Sequence, residues 1–407
     1  MRVIVIGGGA AGFFAAITCA TVSPETEVIL LEAGKKPLTK VRISGGGRCN
    51  VTHHCFDPVL LVQAYPRGGK ALRGALTRFQ PQDTVNWFEK RGVSLKTEAD
   101  GRMFPVTDNS ETIIHCLLKE ADAKGVKVKT GVKVQWLSYE DGAFIVDLKN
   151  GDSLRCDRAL LATGSQRLPY QWAHQLGHKI VPPVPSLFTF NIADDRVKDL
   201  AGISVEKVTL QLQTKGKPKS QQTGELLITH WGLSGPAVLK LSAYTARILY
   251  DQNYQMGLLI NWLPDENMET IKEKLWSQKD LTPRRQVMSF SPVGIPRRLW
   301  EKLATVSGIS PTQRWAEVSK KQMTTLAKEL TQGEFQIQGK GVFKEEFVTC
   351  GGIDLKGVNF KTMESKFVSG LYFAGEILDI DGITGGFNFQ NAWTTGWLAG
   401  QAMGVNN

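Results

Sequence analysis

The sequence predicts an α/β fold: a Rossmann-like, dinucleotide-binding domain interrupted by a compact β-rich insertion and a helical segment. Three observations carry this. The chain opens on strand, glycine turn, helix, strand and acid in register. A strand ending in Gly-acid lies near the C-terminus, followed by a glycine-rich turn and a helix. Between them, the composition shifts at Pro182-Pro183-Val-Pro185 from α/β patterns to short alternating strands.

The first strand is the apolar run Val3 to Ile6. It meets Gly7-Gly8-Gly9-Ala10-Ala11-Gly12 and a small-residue helix from Phe13 to Ala20. A second strand, Glu27 to Leu31, ends on Glu32 and Ala33, with Glu32 about twenty residues past Gly12, as a dinucleotide fold requires. In that fingerprint Gly7 permits the tight turn, Gly9 lets the backbone approach a pyrophosphate, and Gly12 lets helix pack on strand. The helix N-terminus offers unpaired N–H groups and its dipole to the phosphates. Glu32 would accept hydrogen bonds from a ribose 2′-hydroxyl and repel a phosphorylated ribose, which favours FAD or NAD over NADP. The motif begins at residue 3, so no signal peptide is expected ahead of it.

Residues 35–56 form a glycine-rich loop containing Ser44-Gly45-Gly46-Gly47-Arg48-Cys49-Asn50, suited to close approach to a flat or phosphorylated ligand. Residues 71–90 and 110–124 read as amphipathic helices, and strands follow at 126–129, 132–137, 143–148 and 153–156. The strand Arg158–Ala162 meets a second close-approach turn, Thr163-Gly164-Ser165. Residues 186–262 alternate short strands with polar turns, with a small helix after Gly235-Pro236. From Pro264 to about Gln332 the pattern is helical and basic, with Arg284, Arg285, Arg297 and Arg298. Strand patterns resume at 342–350 and 370–374. Leu371-Tyr-Phe-Ala-Gly375-Glu376 then leads to Gly385-Gly386-Phe387-Asn388 and a helix from about Gln390 to Gln401. In a flavoprotein such a Gly-acid turn contacts the ribityl chain, and the next helix points its positive end at the flavin. NAD-only dehydrogenases have no use for this return, so FAD is expected over NAD.

Composition sets the limits. The chain has 407 residues, long for one core. No run reaches 18 apolar residues, and no membrane span is expected. The six cysteines include no CxxC pair and no zinc spacing, so neither a metal site nor a dithiol reductase is expected, and a reducing cytoplasm fits best. Forty-nine basic against 39 acidic residues give +10, which reads either as an ordinary basic enzyme or as attraction to a polyanion such as RNA. For the basic helical segment, a solvated helix face stands beside an RNA contact.

The chain resembles the bacterial BaiN/YhiN-like FAD flavoproteins, a three-domain family with aminoacetone-oxidase-like members. The resemblance rests on GGGAAGFFAA, ISGGGRCNVT, Thr229-His230-Trp231-Gly-Leu-Ser-Gly-Pro236-Ala and MESK…GLYFAGEILDIDGITGGFNFQNAWTTG, which span most of the chain. It implies a glutathione-reductase-type FAD domain at 1–188 and 341–407, interrupted by a β-barrel-like domain at 189–263 and 333–340. That domain carries a helical one at 264–332. By resemblance, Gly7 to Gly12, Glu32 and Ala33 hold the adenosine diphosphate and Val134 touches adenine by its backbone. Ser44 to Arg48, Ala162 to Gly164, Gly375, Glu376 and Gly385 to Asn388 complete the cofactor site. Ser165 departs from a usual Thr-Gly-Gly, narrowing that turn.

The implied activity is reduction of a C=C conjugated to a carbonyl, by hydride transfer from flavin N5 and protonation of the neighbouring carbon. Uridine in ribosomal RNA is the preferred substrate, with Arg284, Arg285, Arg297 and Arg298 as its contact region. Two alternatives stand: a small-molecule oxidase or reductase of amines or enones, and a non-catalytic FAD-bearing RNA-binding or redox-sensing protein. With no second GxGxxG, NAD(P)H would dock transiently, or oxygen would be the acceptor. Cys49 and His230 are the candidate proton donors, each with a structural alternative: a buried thiol packing its loop, and a satisfied barrel rim. His53 and His54 read as a surface pair, Asp379 and Asp381 as pins for the loop before Gly385, and Arg48 as a phosphate ligand or a structural ion pair.

Overall fold

A computed structural model describes residues 1–214, 220–341 and 348–405. Contacts divide the chain into two compact units, Met1–Val184 with Val348–Asn407, and Pro185–Phe347.

The first unit is built on β1 (Arg2–Ile6), β2 (Glu27–Glu32), β3 (Lys127–Thr130), β4 (Arg158–Leu161), β5 (Val358–Asn359), β6 (Glu364–Ser365) and β7 (Leu371–Phe373). Their order in the sheet is β5-β6-β7-β4-β1-β2-β3. The five strands from β7 to β3 are parallel, with Val5 opposite both Leu30 and Leu160. Val3 to Ile6 are almost fully buried, as a strand covered on both faces must be, which is why it reads as an unbroken apolar run. Helix α1 (Ala10–Val22) is buried at every position from Ala10 to Ala20. Helix α2 (Phe387–Gly404) lies against it, starting three residues before its expected position.

Two expectations are corrected here. The apolar periodicity over 71–90 belongs to two helices, Gly69–Leu76 and Pro81–Glu89. Pro81 has no N–H to continue a helix and holds Gln80 extended, at φ −116° and ψ 179°. The loop at 35–56 contains a helical turn from Thr39, which ends where Ser44 turns extended and Gly45 and Gly46 adopt left-handed backbone. Of the strand expected at 342–350, residues 342–347 lie outside the described residues, and the described strand is Val348–Ile353.

The second unit holds a seven-stranded antiparallel sheet in the order Gly333–Ile337, Met256–Asn261, Ser204–Leu212, Gln221–Thr229, Gly232–Ser234, Phe190–Asn191, Gly339–Lys340. Its first and last members are separated in sequence by Gln338 alone, so the chain crosses directly from one edge of the sheet to the other. The helices Met268–Leu281, Arg297–Val306 and Lys320–Gln332 share one buried cluster with the sheet, joining Leu210, Ile228 and Trp262 to Leu275, Trp300 and Leu326. Arg196 reinforces that join. It pairs with Asp194 and Glu329, each at 2.6 Å, and its guanidinium covers the Phe335 ring at 3.7 Å.

Candidate functional site: a glycine-lined dinucleotide cradle

Each glycine of the first turn has its own reason. Gly7 has φ +115°, and a Cβ there would strike the Ala162 carbonyl. A Cβ on Gly12 would strike the Gly7 carbonyl, so this glycine lets α1 close on β1. A Cβ on Gly9 would meet nothing within 4 Å. Its absence answers no protein neighbour and leaves bare backbone at the start of α1. No side chain caps α1, and its first turn carries no acid. The N–H groups and positive dipole end therefore have no anionic protein partner.

Glu32 ends β2 with both carboxylate oxygens anchored. Gly8 N–H donates to Oε2 at 2.8 Å and Gly34 N–H to Oε1 at 2.6 Å. Each oxygen keeps acceptor capacity beyond its one bond. Ala33 is exposed beside it. Gly131 N–H donates to the Gly34 carbonyl and Val132 N–H to the Glu32 carbonyl, which brings the strand beginning at Val134 to the same end of the sheet. Across from this, Ala162 abuts Gly7, the Thr163 hydroxyl is buried with no protein partner, and Gly164 at φ +62° faces the Glu376 carboxylate.

The opposite end of the cradle is made by two interlocked loops. Gly45, Gly46 and Gly47 all have positive φ. A Cβ on Gly45 would press on Phe104, whereas Gly46 and Gly47 face open space. The Asn50 amide, oriented to satisfy both partners, accepts from Gly386 N–H at 2.9 Å and donates to the Thr52 carbonyl at 3.0 Å. Gly386 itself lies too close to Thr52 to carry a side chain. His53 stacks on Phe387 with ring centroids 4.6 Å apart, and its Nδ1 lies 3.0 Å from the Gly385 carbonyl. Tyr65 donates to the Phe387 carbonyl at 2.7 Å. Asn388 clasps Gly382 through both its oxygen and its nitrogen, at 2.9 and 3.0 Å. Buried Asp381 is paired with Arg67, which makes it a pin for this loop. Glu376 accepts from Thr349 N–H at 3.1 Å and pairs with Lys40. Gly375 sits against Ala11 and donates its N–H to Thr395 Oγ1 at 2.9 Å. Helix α2 thus follows its N-cap Gly386 with no acid in its first turn and no capping side chain.

For two residues the packing favours the structural alternative. Arg48 is committed to structure: its guanidinium pairs with Glu98 at 2.6 Å and Asp108 at 3.5 Å and lies over the Phe104 ring at 4.0 Å. Its guanidinium is thus held by protein partners on two sides. Cys49 is fully buried, and burial pushes its thiol up to about 12 despite a hydrogen bond with Ser44. It has no surface from which to hand a proton to a substrate. His230 lies in the second unit and is exposed. With Trp231, which is 71% exposed, it forms the two-residue tip between strands Gln221–Thr229 and Gly232–Ser234. The arginines of that unit differ from one another. Arg297 pairs with Glu301 at 2.8 Å, and Arg298 donates to the Asp199 carbonyl. Arg284 and Arg285 make no ion pair among the described residues.

Sequence reasoning missed three parts of this arrangement. Gly396, Gly400 and Gly404, four residues apart on α2, abut Ala11, Ala15 and Val22 of α1; the spacing was visible as a small-residue stripe. Arg67 has no motif around it. Gln390, which accepts from Thr52 at 2.6 Å and Thr84 at 2.9 Å, is joined to residues more than 300 positions away and leaves no local signal. Among the described residues no cluster of His, Cys, Asp and Glu is placed to hold a metal, and no helix is long and apolar enough to cross a membrane.

The family model for the HI0933-like protein Rossmann domain matches residues 1–402. The chain is 32% identical to a ribosomal RNA dihydrouridine synthase of Escherichia coli K12, covering 98% of this chain and 97% of that one. It is 29% identical to a 3-dehydro-bile acid delta(4,6)-reductase of Clostridium scindens, covering 98% of each. Among solved structures, the 3-ketosteroid-delta4-(5alpha)-dehydrogenase of Rhodococcus jostii RHA1 superposes with a TM-score of 0.54 at 14% identity, over 99% of this chain and 96% of that one. The bare glycine backbone at two helix N-termini and the anchored acid after β2 fit an FAD, and the match runs through all of them: the chain belongs to the HI0933-like family of FAD-dependent oxidoreductases.

Proposed function

We propose that this protein reduces a C=C conjugated to a carbonyl, and that its substrate is uridine in ribosomal RNA, converted to dihydrouridine. The observation that carries the reading is the 32% identity to a ribosomal RNA dihydrouridine synthase over nearly the whole of both chains. The net charge of +10 fits a polyanionic substrate. Uracil and a 3-dehydro-bile acid share one electronic feature, an alkene polarised by a carbonyl, so the 29% relative named as a bile acid reductase supports the same reaction type.

Bound FAD would supply the hydride, with NAD(P)H as a transient reductant. The residues of this chain would do the rest. The first turn of α1 and the backbone at Gly8 and Gly9 would take the pyrophosphate, with Glu32 on the adenosine ribose, the segment at Val134 beside adenine, and Ala162 to Gly164 flanking them. Ser44 to Gly47, Gly375, Glu376 and Gly385 to Asn388 would enclose the ribityl chain and ring. The positive end of α2 would favour negative charge on the ring's pyrimidine edge. Of the two candidate proton donors, exposure supports His230.

The test is to delete the gene and measure dihydrouridine in purified ribosomal RNA by nucleoside mass spectrometry, with rescue by wild type. Loss that wild type restores is expected. Unchanged dihydrouridine, in a host whose ribosomal RNA contains it, would overturn the uridine reading. The second reading, a small-molecule enone reductase, is favoured by the bile acid reductase relative. It predicts NAD(P)H oxidation driven by a 3-ketosteroid enone and no dependence of ribosomal RNA on the gene.

A further inference from the structure

From Leu281 to Trp300 the chain carries four arginines and no carboxylate. The structure separates them into two pairs. Arg297 and Arg298 are engaged locally, by Glu301 and by the Asp199 carbonyl. Arg284 and Arg285 are exposed and have no carboxylate partner among the described residues, and a third arginine joins them. Gln286 and Arg314 form an antiparallel bridge, Trp315 N–H donates to the Arg285 carbonyl at 3.0 Å, and Val287 N–H donates to the Gln313 carbonyl at 3.0 Å. Two short segments are thus laid side by side, with Arg284, Arg285 and Arg314 on adjacent backbone.

The backbone under these arginines is held firmly. Trp300 and Trp315 are buried beneath it with ring centroids 6.3 Å apart, and Trp300 Nε1 donates to the Val287 carbonyl at 2.9 Å. Above it sit exposed apolar groups. Leu281 is 74% exposed and Phe290 47%. The Arg285 guanidinium lies 4.9 Å from the Phe290 ring centroid, and its Nε donates to Ser289 Oγ at 3.0 Å. That bond uses Nε, and the four terminal N–H groups have no hydrogen-bonding protein partner among the described residues.

A merely solvated face would mix its charges, as the helix Met268–Leu281 does: Lys272 pairs with Glu269 within it, and Lys274 with Glu266 just before it. Arg284 and Arg285 are adjacent and repel one another, a cost that an anionic partner removes. Glu317, whose Oε2 accepts from Arg314 N–H at 3.1 Å, lies beside the third arginine but makes no ion pair with its guanidinium among the described residues. Neighbouring arginines match a phosphate backbone, while a half-exposed phenyl ring capped by a guanidinium matches the π-face of an unpaired base. We propose that the surface of Arg284, Arg285, Phe290 and Arg314 binds single-stranded RNA, the arginines on consecutive phosphates and Phe290 against a base. The proposal rests on the RNA reading above and assigns it a surface, from which Arg297 and Arg298 are excluded.

The test uses the full-length, FAD-loaded protein and a fluorescein-labelled single-stranded RNA of about 12 nucleotides, followed by anisotropy between about 50 and 200 mM salt. The triple variant R284A/R285A/R314A is expected to bind roughly tenfold more weakly, with the slope of log affinity against log salt smaller by about 2. F290A is expected to weaken binding roughly tenfold with the slope unchanged, since stacking releases no counterions. R297A/R298A, with a circular dichroism spectrum matching wild type, is expected to keep the wild-type slope. A triple variant that keeps wild-type affinity and slope would overturn the surface, as would a wild type with no salt-dependent RNA binding. Dihydrouridine in a ribosomal RNA fragment is measured in parallel. Product formed by wild type, with binding untouched in the triple variant, sinks the surface and leaves the uridine reading standing. Binding lost in the triple variant, with no product from wild type, supports the surface and sinks the uridine reading.

Discussion

Gly9 and Gly12 lie three residues apart in one turn, yet a methyl group has opposite consequences at the two positions. At Gly12 it meets the Gly7 carbonyl, and at Gly9 it meets nothing in the protein. Gly12→Ala is therefore expected to lower the melting temperature of the apoprotein by several degrees, in line with about 1–3 kcal/mol of overpacking. Gly9→Ala should leave that temperature unchanged and weaken FAD binding at least tenfold, read from flavin fluorescence on titration. Equal melting temperatures for the two variants would refute the assignment. Glu32 makes two backbone hydrogen bonds, and a charge-assisted bond is worth about 1.5–3 kcal/mol. Glu32→Ala should reduce FAD retention through purification much more than Glu32→Gln does. Burial holds His178 well below the usual imidazole range, at about 4, in a site where its Nε2 lies 2.8 Å from Ser365 Oγ and its ring faces Phe367 and Phe373. A histidine whose folded value is depressed stabilises the fold above its unfolded value near 6.5. That stability is lost as pH falls from about 6.5 to about 4. The urea midpoint should fall through this window, and His178→Gln should flatten the dependence.

At the scale of elements, the contact between α1 and α2 decides how the cradle closes. Cβ atoms at Gly396 and Gly400 would lie 2.6 and 2.5 Å from the carbonyls of Ala11 and Ala15. Gly400→Ala is expected to destabilise the fold by about 1–3 kcal/mol, seen as a lower urea midpoint, with FAD stoichiometry retained once folded. The five parallel strands and helices α1 and α2 were legible because apolar runs and small-residue helices have a period that needs no partner to be read, whereas β5 and β6, two residues each, carry no pattern of their own. The split at Pro81 was equally visible as a proline in the chain. It was missed because the apolar spacing of Leu72, Leu76 and Phe79 carries on past the break in helical step.

At the scale of the whole molecule, the proposed reduction needs one proton donor, and the two candidates differ in burial. Cys49→Ala should leave turnover within about threefold of wild type, whereas loss of a general acid typically costs about a hundredfold or more. His230→Ala should show that larger loss in dihydrouridine formation, with the flavin spectrum unchanged. A Cys49→Ala enzyme as impaired as His230→Ala would reverse the assignment.

The sequence by itself determined the cofactor class and the two ends of its cradle, because GxGxxG, Glu32 and the Gly385-Gly386 turn act through backbone geometry that travels with the motif. It left open which polar side chains near the cradle are available for chemistry. Arg48 and Cys49 are adjacent in a glycine loop that looks catalytic, and both are consumed by packing, one by Glu98, Asp108 and Phe104, the other by the core. Only the tertiary structure decided that, since their partners come from segments tens of residues away and burial is a property of the assembled fold. The same holds for the four arginines from Arg284 to Arg298. They are alike in the sequence, and are divided by whether a carboxylate or a carbonyl happens to lie within reach.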